Sequence, residues 1–429
     1  MALLPPSALS LDWRPIYLRE CPSVGHAFDR IKRGMLPKTI ALLGVGLAVP
    51  ASSLALGIRL FDHDAFATAR GDAFVATADN PSAIYYNPAG ITQLPGHQVR
   101  GSVNFLSLHS TYDNPTYGHV ESEDQLLVLP GFFYTYTPEK LPLSFGLGYY
   151  MPFGMALEWP KDAPFRTTSL YSELQDHTFS GIVAWKVNDK LSIAAGPAVS
   201  YAFTDLRQGV IPTEYDDEFR FKGDDIGVGV TAGLLWQPTP RHSFGLSYRS
   251  PVKFDFEGDS ELRPYGSGEE EARLEMKMPQ VIIVGYSFRP TPEWNLEVNL
   301  DWTDWEIVNT LVLEQDTPVP PVALNWENSF GVEAGVTRYF KNGLRVSAGY
   351  VFLENSVPEK NFNTILPDQN LHVFSAGLGG SFKGISWDVV YQYTFGPGRE
   401  VNDSITSPSV NGHYDFNANA VAVSLGYKF

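Results

Sequence analysis

The chain has 429 residues, a net charge of −17 and one cysteine, Cys21. An acidic balance of that size excludes nucleic acid as the expected partner, because phosphate binding needs clustered Lys and Arg. A lone cysteine excludes disulfide frameworks, CxxC redox pairs and thiolate metal sites. Hydrophobic residues make up 44% of the chain and aromatics 13%, with 38 Gly and 21 Tyr, a mixture suited to strands and tight turns. The mean hydropathy of −0.13 is too polar for a bundle of membrane helices. It suits a transmembrane barrel, in which only every second residue faces lipid.

In chain order, Arg30, Lys32, Arg33 and Lys38 precede a short apolar run over residues 40–49, and Ser53-Leu54-Ala55 follows with small residues where a signal peptidase reads. This is the pattern of a secretory signal, too short to remain as a span. Cleavage is expected after Ala55, with Ala51 as the alternative, which would remove Cys21. Met35 is the more usual start, so residues 1–34 are expected to be a non-essential extension and 35–55 the signal peptide. No later stretch approaches 18 consecutive apolar residues, which excludes transmembrane helices.

Residues 56–96 show little alternation. Their Ala-rich stretches are broken by Asp, Asn and Pro, as in short helices and tight turns. Ahead of an exported barrel, a compact piece of this size is expected to fold into the lumen as a plug.

From residue 97 onward, apolar and polar residues alternate with a period of two, which places each set on one face of a sheet. Trp294, Leu296, Val298, Leu300 and Trp302 alternate with Asn295, Glu297, Asn299, Asp301 and Thr303. A second run sets Phe244, Leu246, Tyr248, Val252, Phe254 and Phe256 on one expected face. Fourteen such segments are expected, near 97–112, 124–137, 142–155, 170–187, 190–209, 219–237, 241–257, 270–290, 293–314, 322–340, 343–354, 371–382, 385–396 and 417–429. Short turns alternate with long loops, as in outer-membrane barrels, whose short turns are periplasmic. Aromatics such as Tyr149, Tyr150, Trp185, Trp236, Tyr286 and Trp294 gather near segment ends, as interfacial girdles do. The last strand alternates through Val421, Val423, Leu425 and Tyr427 to a terminal Phe429. That ending is similar to the signal by which the barrel-assembly machinery recognises its clients.

Several motifs carry a family resemblance. Residues 69–90 contain Gly71-Asp72-Ala73, then Ala78-Asp79-Asn80-Pro81-Ser82, and end in Asn87-Pro88-Ala89-Gly90. Tyr248-Arg249-Ser250-Pro251, Met278-Pro279 leading to Asp301-Trp302-Thr303-Asp304-Trp305, and Leu366-Pro367-Asp368 follow in order. Together these motifs, spread over nearly all of residues 57–429, resemble the FadL family (OMPP1/FadL/TodX). The resemblance implies an all-β, transmembrane antiparallel β-barrel of fourteen strands, residues 97–429, with an N-terminal hatch over 56–96 carrying Asn87, Pro88 and Ala89. It implies passive outer-membrane uptake of long-chain fatty acids or similar hydrophobic molecules. Aromatic hydrocarbons are the alternative cargo within the family, and a general diffusion porin is the alternative outside it. The resemblance also implies a lateral opening in the third strand. Met151-Pro152-Phe153-Gly154 supplies strand-breaking residues there, with Pro152, Phe153 and Gly154 as the kink or, on the bland reading, simply a strand end.

Inward apolar candidates are Val281, Ile283, Val351 and Leu353, which suit either an apolar ligand or packing against the hatch. A fatty acid carboxylate would need a cation. Arg249, Lys253 and Arg345 have the inward parity, although Asp255 and Glu257 share the expected face of the first two. Acidic runs at Asp216-Asp217-Glu218 and Glu269-Glu270-Glu271 suit long external loops, where they are either solvated or bridged by cations to lipopolysaccharide. No GxSxG, HExxH or metal-spaced histidine cluster occurs, so neither an enzyme, a metal nor a cofactor is expected. A plugged barrel of this kind is expected to be a monomer.

Overall fold

The computed structural model describes residues 58–429 apart from Ser267. The expected extension, signal peptide and cleavage site lie outside the described residues. The strands are β1 (Gly96–Asn114), β2 (Gly118–Glu121), β3 (Gln125–Thr137), β4 (Leu143–Tyr150), β5 (Gly154–Glu158), β6 (Tyr171–Lys186), β7 (Leu191–Gln208) and β8 (Glu218–Thr239). They continue as β9 (His242–Arg249), β10 (Val252–Arg263), β11 (Glu269–Met278), β12 (Val281–Phe288), β13 (Trp294–Thr303), β14 (Thr310–Leu311), β15 (Leu313–Gln315) and β16 (Val322–Ala323). The last six are β17 (Ser329–Tyr339), β18 (Leu344–Leu353), β19 (Leu371–Phe382), β20 (Ile385–Phe395), β21 (Arg399–Val401) and β22 (Gly412–Lys428).

Antiparallel pairing joins neighbours in sequence all the way round, and β1 then pairs with β22 from Gln98↔Lys428 to Asp113↔His413. The result is a closed barrel of fourteen staves. Several staves are broken in two, as β4 with β5 and β9 with β10. Closure satisfies backbone groups that an open sheet edge would leave bare. Short turns lie at one end, with the first and last barrel residues, and long loops at the other.

The wall is inverted relative to a water-soluble protein. On β13, Leu296, Val298 and Leu300 are exposed outward, while Asn295, Glu297, Asn299, Asp301 and Thr303 are buried inside. Only a lipid surround makes that arrangement favourable. Rings collect on the outer face near both ends, and four histidines sit among them. His97 and His242 are hydrogen-bonded to Tyr134 and Tyr286 at 2.7 and 2.8 Å. His177 and His372 are hydrogen-bonded to Tyr149 and Tyr350 at 2.9 and 2.8 Å. Tyr150, expected in such a girdle, instead faces the lumen and is 1% exposed.

A second difference has a clear cause. The expected single face running from Phe244 to Phe256 does not exist, because the parity flips at Ser250-Pro251. Below the flip Gly245 and Ser247 point inward; above it Val252, Phe254 and Phe256 do. The neighbouring stave flips at the same height, between Met278 and Val281, so that the break is bracketed by Arg249↔Val281 and Val252↔Met278. Pro251 and Pro279 cannot donate ladder bonds, and both strands bend there together. One residue of slip exchanges the two faces.

Residues 58–95 fill the lumen. Two four-residue helices, α1 (Ala65–Thr68) and α2 (Ala83–Tyr86), are followed by a 3-10 turn over Pro88–Gln93. Elements this short gain nothing from helix propagation, and packing holds them. Phe74 and Tyr86 cross edge to face at 5.4 Å, as do Tyr85 and Tyr150 at 5.0 Å. The wall accommodates this segment by omitting side chains. A Cβ on Gly349 would run into the backbone of Arg70 and Gly71. Gly349→Ala is therefore expected to lower unfolding stability by about 1–3 kcal/mol through overpacking. Thermal unfolding followed by gel mobility of the detergent-extracted barrel measures it; an unchanged transition would contradict the tight seat.

Candidate functional site

The lumen, the segment inside it and one break in the wall form the candidate site. Asn87 joins the first two. Its side-chain oxygen accepts from Ala89 N at 3.1 Å, capping the 3-10 turn. Its amide donates to Val75 O at 2.8 Å and to Leu234 O of β8 at 2.9 Å. Pro88 follows at the first position of that turn, where a missing N–H costs nothing. The Asn-Pro-Ala triplet thus fastens the segment to itself and to the wall in one step.

Charged side chains supply further ties that sequence reading missed. Asp64 caps α1 through Phe66 N and Ala67 N at 3.2 and 3.3 Å. It also holds Arg100 of β1 in an ion pair. Arg100 reaches Asp388 of β20 at 2.7 Å, and Asp388 receives Arg345 of β18 through both oxygens at 2.9 and 2.7 Å. Arg59 is held by Asp301 at 2.6 Å and Thr303 at 3.0 Å. Glu297 accepts from Ala76 N at 2.7 Å and pairs with Arg70 at 3.4 Å. The sequence signs of this network were the polar inward row of β13 and the inward parity of Arg345.

The expected cations part company. Arg345 is inward but already neutralised by Asp388. Arg249 donates to Tyr85 O and lies 3.8 Å over the Tyr85 ring. Among the described residues, no carboxylate pairs with it. Lys253 is a correction. It lies beyond the parity flip, faces outward, and binds Asp255 and Glu275 at 3.1 and 2.8 Å. Asp217 likewise is not a solvated loop acid; it is buried and pairs with Arg166 at 2.6 Å. Of the apolar candidates, Val281 and Ile283 pack on Val75 of the segment. Val351 and Leu353 belong to a large apolar cluster that continues into the long loops through Trp159, Phe165, Trp305 and Phe362.

The wall is interrupted between β3 and β5. The β3–β4 ladder stops at Phe132↔Tyr149, and β5 pairs only with β6 among the described residues. The two sides meet again where Glu123 N donates to Glu158 O at 2.8 Å. The cause is local. Residues 151–153 oppose only Asp176 and His177 of β6, so the extra residue pushes the stave inward as a bulge. Pro152 has no N–H for the ladder. From the lumen, Leu60 N donates to Pro152 O at 2.9 Å and Gly154 N to Ile58 O at 2.8 Å. The start of the described chain therefore pairs with the kink from within. Beside it lies a cavity of about 30 Å³ walled by Leu106, Leu108, Leu129, Phe416 and Ala418, with residues 59–62. That is room for about two waters, so any larger solute requires movement.

A profile of the outer membrane protein transport protein family (OMPP1/FadL/TodX) matches residues 46–429. A putative outer membrane protein of Neisseria meningitidis is 27% identical over 407 residues, 80% of this chain and 86% of that protein. The long-chain fatty acid transport protein of Escherichia coli K12 is 25% identical over 224 residues, and the match spans about half of each chain (48%). Among solved structures, a Pseudomonas aeruginosa FadL homologue superposes with a TM-score of 0.77 at 18% identity, over 87% of this chain and 100% of that one. The toluene transporter TodX of Pseudomonas putida gives a TM-score of 0.69 at 16% identity, over 86% and 99%. These two likenesses speak to fold. The profile match covers most of the sequence, and on it the chain belongs to the outer membrane protein transport family (OMPP1/FadL/TodX), a family of outer-membrane transporter barrels rather than of enzymes.

Proposed function

We propose that the chain is an outer-membrane transporter for passive uptake of long-chain fatty acids or similar hydrophobic molecules and releases them sideways through the gap between β3 and β5. The observation that carries this reading is the missing ladder between Phe132↔Tyr149 and Glu123–Glu158, set beside an apolar stretch of lumen. The long loops then face outward and the short turns face the periplasm. Residues 58–95 act as the hatch. It blocks the straight route, which argues against a general diffusion porin. No catalytic role is assigned. The barrel works as a monomer, with lipopolysaccharide around its outer rim and Tyr427 and Phe429 read by the assembly machinery.

The relatives include fatty acid and toluene transporters, and the lumen leaves room for both chemistries. Of the three cations that the sequence offers, Lys253 and Arg345 are paired with carboxylates and Arg249 is not, so Arg249 is the one of the three that can receive a fatty acid headgroup. The aromatic-hydrocarbon reading is favoured by Arg59 and Arg345, which are already neutralised by Asp301 and Asp388.

Two outcomes test this. In equilibrium titration of the purified barrel, a labelled long-chain fatty acid should bind saturably, and Arg249→Ala should weaken it about tenfold or more, the worth of a lost charge-assisted bond. Saturable binding of toluene-like solutes alone would select the hydrocarbon reading, and steady ionic conductance without hydrophobic binding would leave a porin. Separately, deleting Pro152 removes the extra residue of the bulge and lets β5 approach β3. Uptake into cells should fall at least tenfold while binding to the purified protein persists; unchanged uptake would sink lateral release.

A further inference from the structure

The seam where the last strand meets the first ends in an unusual row of charge. Its topmost pair is Asp113↔His413. On one side Glu400 of β21 is opposite His413, and on the other His119 of β2 is opposite Asp113. Four adjacent strands thus present Glu400, His413, Asp113 and His119 side by side on the outer face. One step down the ladder, Asp415 and Glu121 flank Thr111. The row lies beyond the apolar belt, four residues past Asn417, which is level with Phe395 of the outer girdle.

Each imidazole is held at both nitrogens. His119 meets Asp113 at 2.8 Å and Glu121 at 3.0 Å. His413 meets Glu400 at 2.8 Å and Asp415 at 3.2 Å. A neutral imidazole has one N–H and can donate to one carboxylate only; both contacts require the imidazolium. Without that charge, four carboxylates would crowd the seam with no cation between them. The other ionisable neighbours do not relieve this. His109 and Asp124 pair with each other at 3.7 Å. Arg399, next to Glu400, turns inward to Asn355, Asp368 O and Val357 O.

The inner face of the same seam carries the lid over the lumen. Tyr112 and Tyr414 alternate with Asp113 and His413 along their strands and lie 5.0 Å apart. Tyr112 packs on Phe165 at 5.1 Å and Tyr414 on Phe362 at 4.6 Å. Their hydroxyls donate to Asn411 O and Val410 O at 3.0 and 2.7 Å, which ties down the loop between β21 and β22.

We infer that the two imidazolium clamps form a pH-sensitive latch on the lid, tight in acid and loose in alkali. The electrostatics have the matching sign. Glu121 first and Asp113 second hold His119 above its ordinary range. At His413 partial burial opposes the charge, and Glu400 and Asp415 outweigh it, so its shift is also upward. A group whose folded-state value is raised stabilises fully below its unfolded value, here 6.5, and loses that contribution as pH rises through the folded value. The latch is independent of which solute the barrel carries.

The test is amide hydrogen exchange of the full chain in lipid nanodiscs from pH 5.5 to 9, corrected for the intrinsic rate and followed over residues 399–414. Protection should fall on the order of two- to fivefold per clamp, with a midpoint above pH 6.5. His119→Gln with His413→Gln should show the weak, flat profile at every pH. His119→Arg with His413→Arg, which fixes the positive charge, should stay protected to pH 9. A flat profile in the unaltered chain, a midpoint below 6.5, or an unchanged profile in the Gln variant would overturn the latch.

Discussion

Much of the interior depends on one chain of ionic contacts, from Asp64 through Arg100 and Asp388 to Arg345. It begins at a helix cap and ends on the far side of the barrel seam, over the Phe66 ring at 4.7 Å. Residues 58–95 are short, and their apolar side chains complete a core only together with wall residues such as Phe133, Tyr150 and Leu235. The wall offers ion-pair partners to three buried charges of this segment, Arg59, Asp64 and Arg70. Removing one member of such a buried set costs about 3–5 kcal/mol, because the remainder is left uncompensated. That figure is a large share of the stability of an ordinary domain.

The architecture was legible in the sequence because period-two alternation is local. Each stave announced itself within its own residues, and β13 was read correctly on both faces. The Asn-Pro-Ala triplet was singled out by the family resemblance, and the structure supplies its local reason, a side-chain cap followed by a proline at the first turn position. What escaped notice was pairwise and distant. Arg59 finds Asp301, 242 positions away by number, and nothing near Arg59 points to it. Lys253 was set inward because the flip at Pro251 is only interpretable beside Pro279 on the neighbouring stave. Asp217 looked like a loop acid because its partner, Arg166, belongs to another loop.

The two ends of the barrel solve different problems. At the short-turn end, alternation runs straight to the turns and Phe429 N donates to His97 O at 3.0 Å. At the other end the long loops and the strand ends build an aromatic cluster together, with Trp159, Phe165 and Phe362 from loops and Tyr414 from β22. A soluble domain would bury such rings beneath a sheet. Here the sheet is the wall, and the rings stopper its mouth.

The interrupted ladder between β3 and β5 has a mechanical consequence. Along most of the barrel the wall is a continuous hoop of hydrogen bonds, stiff against squeezing. Among the described residues, no side-chain hydrogen bond joins segment 58–95 to β4, β5 or β6; on the side facing β3, where β5 has no ladder partner, the hydrogen bonds are two backbone bonds from residues 58 and 60 and the sill at Glu123 and Glu158. A hoop with one weak link flexes at that link first. Lateral pressure from the surrounding acyl chains, which changes with bilayer thickness and packing, is therefore concentrated on β5. The membrane itself becomes a load on this part of the protein, and its composition sets how readily the barrel goes out of round.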